Sequence, residues 1–212
     1  LGLRENDVIG LALPPTYSYG LYNLLMGLGL GCTVVLERQA AFPIKLAQGL
    51  QRERVTVLPG VPTLFAALLD VPQLASFDLG AIRLITNAAA ALPTRTVQRL
   101  RAALPKARLF LMYGMTECKR ISFLAPDEAD RRPDSVGRGM PNQAHWLIDA
   151  EGRRLPHGAS GELVVRGSHV MRGYWRRPAE TAERLRSGEV EGESVLHTGD
   201  IFRTDAEGYL YF

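Results

Sequence analysis

Cysteine is nearly absent from this chain of 212 residues, with Cys32 and Cys118 as its only two. They lack metal-ligand spacing and suit a reducing compartment, so both thiols are expected to be free and the location cytoplasmic. Long apolar runs are missing as well. The longest candidate, 21–36, is interrupted by Gly27, Gly29 and Gly31, and no segment reads as a signal peptide or a membrane span. Excess charge of one sign is also lacking: 25 Lys and Arg against 22 Asp and Glu leave a net charge of +3. The basic residues fall into pairs (Arg131-Arg132, Arg153-Arg154, Arg176-Arg177) without interleaved aromatics, which argues against a nucleic-acid stripe and for solvated faces. Internal repeats and low-complexity segments are absent, since the run Ala88–Ala91 is too short to count.

What remains is ordinary globular composition, 46% hydrophobic and 22% charged, in a length that suits one large domain or a domain with a small companion. Residues 1–132 alternate between strand and helix patterns. "DVIGLALP", "CTVVLE", "VTVLPGVP", "IRLITN" and "RLFLMYG" read as buried strands. Between them, "GLYNLLMGLGLG", "FPIKLAQGLQRER", "TLFAALLD" (opened by Thr63, with Pro62 just ahead) and "LPTRTVQRLRAALP" read as helices. Strands separated by helices predict a layered α/β fold with a mainly parallel sheet, which binds ligands beyond the carboxyl ends of its strands. Residues 133–212 instead read as short strands between Gly, Pro, Asp and Asn turns, with helical periodicity only in "AETAERLR". That texture predicts a small antiparallel, barrel-like β subdomain, with "DAEG" as a hairpin turn.

Two strand ends stand out. "LFLMYGMTECKRIS" stops an apolar run at Tyr113-Gly114 and follows it at once with Thr116 and Glu117; "TNAAAALP" ends a strand in a stretch of small residues. Each has a plain structural reading. Gly114 can supply a turn, Tyr113 a rim aromatic, and Thr116 a helix cap with Glu117 in the first turn. In "HTGD", Asp200 can be a turn residue and His197 a satisfied surface histidine; "GELVVRG" reads as an amphipathic strand.

Their order carries more than any one of them. "NAAAALP", "YGMTE", "GELVVRG", "RGYW", "HTGD" and "DAEGYLYF" follow one another along essentially the whole chain. The series resembles the adenylate-forming superfamily of acyl-CoA and aryl-CoA synthetases, luciferases and peptide-synthetase adenylation domains. The resemblance implies a carboxylic acid attacking ATP to give an acyl-adenylate and pyrophosphate, then transfer of the acyl group to a thiol, usually coenzyme A, with release of AMP. It implies Tyr113, Gly114 and the loop Asn87, Ala88, Ala89 and Ala90 around the adenine, Thr116 on a phosphate oxygen, Glu117 on Mg2+ and Asp200 on the ribose hydroxyls. Those residue types suit the roles: small side chains let a purine approach the backbone, a hydroxyl and a hard carboxylate serve phosphate and Mg2+, and a carboxylate can accept two hydroxyls.

For the acid, Tyr17, Tyr19, Gly114, Met115 and Cys118 are the candidate pocket, with Tyr17 standing where many relatives carry histidine; Tyr17 and Tyr19 read equally well as rim or core aromatics. Cys118 has no histidine near it in sequence, so a nucleophilic role is not expected. The resemblance also implies a phosphate loop ahead of this region and a mobile domain carrying a catalytic lysine after it. The chain is therefore expected to be an internal piece of a longer ligase with weak or no turnover alone. Two other readings stay open: an adenylation domain loading a carrier-protein thiol, and a non-catalytic scaffold of the same fold. The usual acidic anchor for an amino group is not recognisable, which favours a simple carboxylic acid.

Overall fold

The computed structural model describes residues 1–38, 41–190 and 192–212. They form two compact units: 1–111 with 125–133, and 112–124 with 134–212. The segment 112–124 thus packs with the β-rich unit, whereas the sequence texture put it in the α/β part ending at 132.

The first unit is a parallel α/β sheet. Strands β1 (Val8–Leu11), β2 (Thr33–Leu36), β3 (Val57–Gly60), β4 (Leu84–Asn87) and β5 (Arg108–Tyr113) lie in the order β2-β1-β3-β4-β5, with helices between them in sequence. Among the described residues the pairings in this set are parallel, from Val8 opposite Thr33 to Asn87 opposite Leu111. Strands β3 and β4 are buried along their whole length, as continuous apolar strands covered on both faces should be.

The helices follow from their patterns. Helix α2 (Pro43–Arg52) buries Leu46, Ala47 and Leu50, and α4 (Thr94–Ala103) buries Val97 and Leu100, each at helical spacing. Helix α3 (Pro62–Leu69) starts one residue earlier than its sequence suggested. Pro62 is itself the first helical residue, where a missing N–H costs nothing, and Thr63 makes no cap. Helix α1 (Ser18–Gly29) leaves Leu21, Leu25 and Leu28 exposed.

At the amino-terminal side of this sheet, Asp7 is 2% exposed, and its carboxylate accepts from three residues. Arg83 binds both its oxygens, the Thr56 hydroxyl donates to Oδ1 at 2.7 Å, and the Arg4 N–H donates to Oδ2 at 2.7 Å. Burial pushes the carboxyl up, but the hydrogen bonds from Arg83, Thr56 and Arg4 together outweigh it and hold Asp7 below its ordinary range.

The second unit is antiparallel. Its strands β6 (Ser122–Leu124), β7 (Ser135–Gly139), β8 (Gln143–Ile148), β9 (Ser160–Gly167), β11 (Ser194–Thr204) and β12 (Leu210–Tyr211) run β6-β7-β12-β11-β9-β8, with β10 (Leu185–Ser187) on β11. The turn "DAEG" closes the β11–β12 hairpin: Asp205 Oδ1 accepts the N–H groups of Glu207 and Tyr209 at 3.0 and 2.9 Å. Strand β9 is not amphipathic. Leu163 and Val165 enter one apolar cluster with Leu196 and Phe202, and Val164 enters another with Ile148 and Val195. The helix read in "AETAERLR" is α5 (Pro178–Arg184), and it stops where Leu185 becomes a strand residue opposite Leu196. Among the described residues no helix is long and apolar enough to cross a membrane.

Candidate functional site

The chain leaves β5 at Tyr113 and returns to it eight residues later, where the Ile121 N–H donates to the Tyr113 carbonyl at 2.9 Å. Between these points lies a tight turn rather than the helix that a capping role for Thr116 would need. Gly114 is required by close approach: a Cβ there would sit 2.1 Å from the Lys119 carbonyl oxygen and 2.8 Å from the Arg120 Cα. The turn is anchored from beneath. Cys118, 1% exposed, lies in the apolar cluster with Ile121, Leu163 and Leu196, and Met115 packs against the same cluster. Thr116 is left exposed and Glu117 half-buried, so the anchored loop presents a hydroxyl and a carboxylate side by side. Burial pushes the Cys118 thiol up to about 12, which removes the thiolate a nucleophile would need.

Asp200 is aimed by an irregularity in β11. His197 pairs with Val164 and Ile201 with Glu162, so Thr198, Gly199 and Asp200 face the single residue Leu163. Such a bulge re-aims a side chain that strict alternation would have fixed. It is pinned on several sides. The Thr198 hydroxyl donates to the Leu163 carbonyl at 2.7 Å, the Asp200 N–H donates back to that hydroxyl at 3.1 Å, and the Gly199 N–H donates to Glu162 Oε1 at 3.0 Å. From α5, Arg184 donates to the Thr198 carbonyl at 2.8 Å. His197, beside the bulge, is held below its ordinary range by burial and by Arg186, against the pull of Glu162, so it stays neutral.

The two halves of this arrangement meet at Tyr113. Its hydroxyl donates to Asp200 Oδ2 at 2.5 Å, and its ring meets Phe202 edge-on with centroids 4.7 Å apart. Burial, then the bond and charge of Asp200, push the phenol far above its usual range, so it remains a donor. The sequence-predicted residues Tyr113, Gly114, Met115, Thr116, Glu117, Cys118 and Asp200 therefore all belong to the β-rich unit.

Asn87, Ala88, Ala89, Ala90, Tyr17 and Tyr19 belong to the α/β unit. Asn87 is 2% exposed and its amide donates to the Ala90 carbonyl at 2.9 Å, curling the loop after β4. Ala89 in that loop holds φ at 73°, a left-handed conformation that a non-glycine residue adopts only under constraint. Tyr19 is tied to the strand behind the loop, its hydroxyl 2.7 Å from the Thr86 hydroxyl and 2.9 Å from the Thr86 carbonyl, whereas Tyr17 is 69% exposed.

Sequence reading gave no role to Tyr174, Thr181 or Arg184. The Tyr174 hydroxyl donates to Glu117 Oε1 at 2.5 Å, across 57 residues of chain. The motif "RGYW" marked the region, but no spacing rule could have paired its tyrosine with that glutamate. Among the described residues no three His, Cys, Asp or Glu side chains gather into a metal cage. Glu117 is a lone hard carboxylate, which suits Mg2+ carried in on phosphate oxygens, since that ion needs only one or two protein carboxylates.

A family model described as "AMP-binding enzyme" matches residues 1–175. Among curated proteins, the acyl-CoA ligase sidI of Aspergillus fumigatus is 32% identical over 212 residues, covering 99% of this chain and 36% of its own length. Among solved structures, VinN superposes with a TM-score of 0.86 at 38% identity, covering all of this chain and 51% of its own; it has also been solved with L-aspartate. The o-succinylbenzoate coenzyme A synthetase MenE of Bacillus subtilis, solved with ATP and magnesium ion, gives 0.83 at 28% identity, covering all of this chain and 42% of its own. The chain thus spans about a third to a half of the length of the relatives it matches.

Proposed function

The chain belongs to the AMP-binding enzyme family, and on that premise we propose that it carries the nucleotide-handling part of an AMP-forming acid–thiol ligase. A carboxylate oxygen attacks the α-phosphorus of ATP and pyrophosphate leaves; a thiol sulfur, that of coenzyme A, then attacks the acyl carbon and AMP leaves. The observation that carries this reading is the pinned group in the β-rich unit, where a hydroxyl (Thr116) and two oriented carboxylates (Glu117, Asp200) are presented by a tight turn and a bulge.

Each residue has a distinct task. Asp200, fixed by the Thr198–Leu163 contacts, accepts the two ribose hydroxyls with the oxygen capacity that Tyr113 leaves. Thr116, on the exposed side of the turn, donates to a phosphate oxygen. Glu117 supplies the hard ligand for Mg2+, whose bound charge offsets that developing on the phosphates. Tyr113 and Gly114 shape the adenine edge. In the α/β unit, the constrained loop Asn87–Ala90 offers backbone groups to a purine without bulky side chains in the way. Of the acyl-pocket candidates, Gly114 and Met115 belong to the turn. Tyr17 is the exposed aromatic, Tyr19 is committed to Thr86, and Cys118 contributes from the core beneath the turn. The enzyme mainly positions groups and neutralises charge, as phosphoryl chemistry requires.

The name of MenE points to an aromatic acid and that of sidI to an acyl group, while the VinN complex with L-aspartate favours an amino acid as a second reading, with a carrier-protein thiol in place of coenzyme A. Non-hydrolysable acyl-sulfamoyl adenosines separate them. Against a panel of fatty, aryl and aminoacyl analogues, at least one class should bind about 100-fold tighter than AMP, as intermediate mimics do. A folded chain that binds none of them better than AMP would leave only the scaffold reading standing.

A further inference from the structure

Glu117 is not held by its own turn alone. The segment 171–174 meets it twice: the Met171 N–H donates to the Glu117 carbonyl at 2.7 Å, and the Tyr174 hydroxyl donates to its carboxylate at 2.5 Å. Backbone and side chain of one residue are thereby gripped by a single strap. The strap in turn has a fixed base. The Tyr174 N–H donates to Thr181 Oγ1 at 2.9 Å, that hydroxyl donates to the Arg177 carbonyl at 2.7 Å, and the Arg177 N–H closes the turn onto the Tyr174 carbonyl at 3.2 Å. Gly173 lets the strap lie this close to α5, for a Cβ there would stand 2.8 Å from Thr181 Cγ2. The same helix carries Arg184, which donates to the Thr198 carbonyl at the base of the Asp200 bulge.

We infer that Tyr174 is a positioning residue for the metal-binding carboxylate: its hydroxyl holds one oxygen of Glu117 and fixes the other toward the Mg2+ that accompanies ATP. This rests on the reading of Glu117 as the Mg2+ ligand. The physical ground is that a half-buried glutamate on a turn has several rotamers, and a short hydrogen bond to one oxygen selects among them without using the second. Partners of metal ligands commonly contribute ten-fold or more to metal affinity in this way.

The test is calorimetric titration of the chain with ATP, once with EDTA and once across a range of Mg2+, for wild type, Tyr174→Phe, Glu117→Ala and the double variant. In wild type, Mg2+ should strengthen ATP binding, and Glu117→Ala should abolish that gain. Tyr174→Phe should keep the EDTA affinity within two-fold and the thermal midpoint, yet reduce the Mg2+-dependent gain by about ten-fold. The double variant should be no worse than Glu117→Ala, because the tyrosine acts only through the glutamate. If Tyr174→Phe keeps the full gain while Glu117→Ala loses it, the positioning role is wrong and the metal ligand stands. If Glu117→Ala also keeps it, or wild type shows no gain, the metal-ligand reading fails and the inference with it.

Discussion

Gly114 and Tyr113 show how two adjacent residues divide the work. Tyr113 ends a strand, turns its ring edge to Phe202 and donates its hydroxyl to Asp200, leaving that carboxylate oriented before any ligand arrives. Gly114 makes the turn possible because the returning backbone at Lys119 and Arg120 occupies the volume of any side chain. Gly114→Ala is therefore expected to destabilise the protein by about 1–3 kcal/mol, as overpacking does. The loss should appear as a lower urea midpoint with an unchanged m-value. An alanine variant as stable as wild type would mean that the loop relaxes freely and that its closeness does not fix Thr116 and Glu117.

At the level of elements, the irregular pieces position the chemistry and the regular ones carry stability. The bulge in β11 and the strap before α5 orient Asp200 and Glu117; the parallel strands depend on contacts such as the Asp7 cluster, which ties the start of β1 to Thr56 and Arg83. Asp7 is held below the carboxyl range of the unfolded chain, near 4. Its contribution is complete above that range and is lost as pH falls through the folded-state value. Asp7→Asn should cost about 1–3 kcal/mol at pH 7, and the difference from wild type should shrink toward pH 3 in urea unfolding. A difference independent of pH would show that the charge is not what Arg83 stabilises.

Among the described residues, the parallel strands β1–β5 and helices α1–α4 of the α/β unit were legible because apolar periodicity and Pro or Gly punctuation agree there. Strands β6 and β10 were not, being three residues long with no alternation to read. The end of α5 was missed for a related reason: Leu185 continues the helical pattern, but pairing with Leu196 decides its state.

Across the whole molecule, the change of texture near residue 133 did not show that 112–124, with the antiparallel strand β6, packs with the later part. Local sequence cannot show this, because it is decided by Cys118 and Ile121 entering a cluster built from β9, β11 and β12. The site was legible as a series of motifs and illegible as a geometry. Thr116, Glu117 and Asp200 were candidates through the resemblance of those motifs to the adenylate-forming family, while the bonds that orient the carboxylates join Tyr113 to Asp200 across 87 residues and Tyr174 to Glu117 across 57. The most direct test of the account is calorimetric titration of this chain with ATP and Mg2+, repeated on Asp200→Ala and Glu117→Ala. Binding should be measurable, and either substitution should weaken it by about ten-fold or more, the cost of a charge-assisted contact. A folded chain that binds ATP equally well without Asp200 and Glu117, or does not bind it at all, would contradict the account.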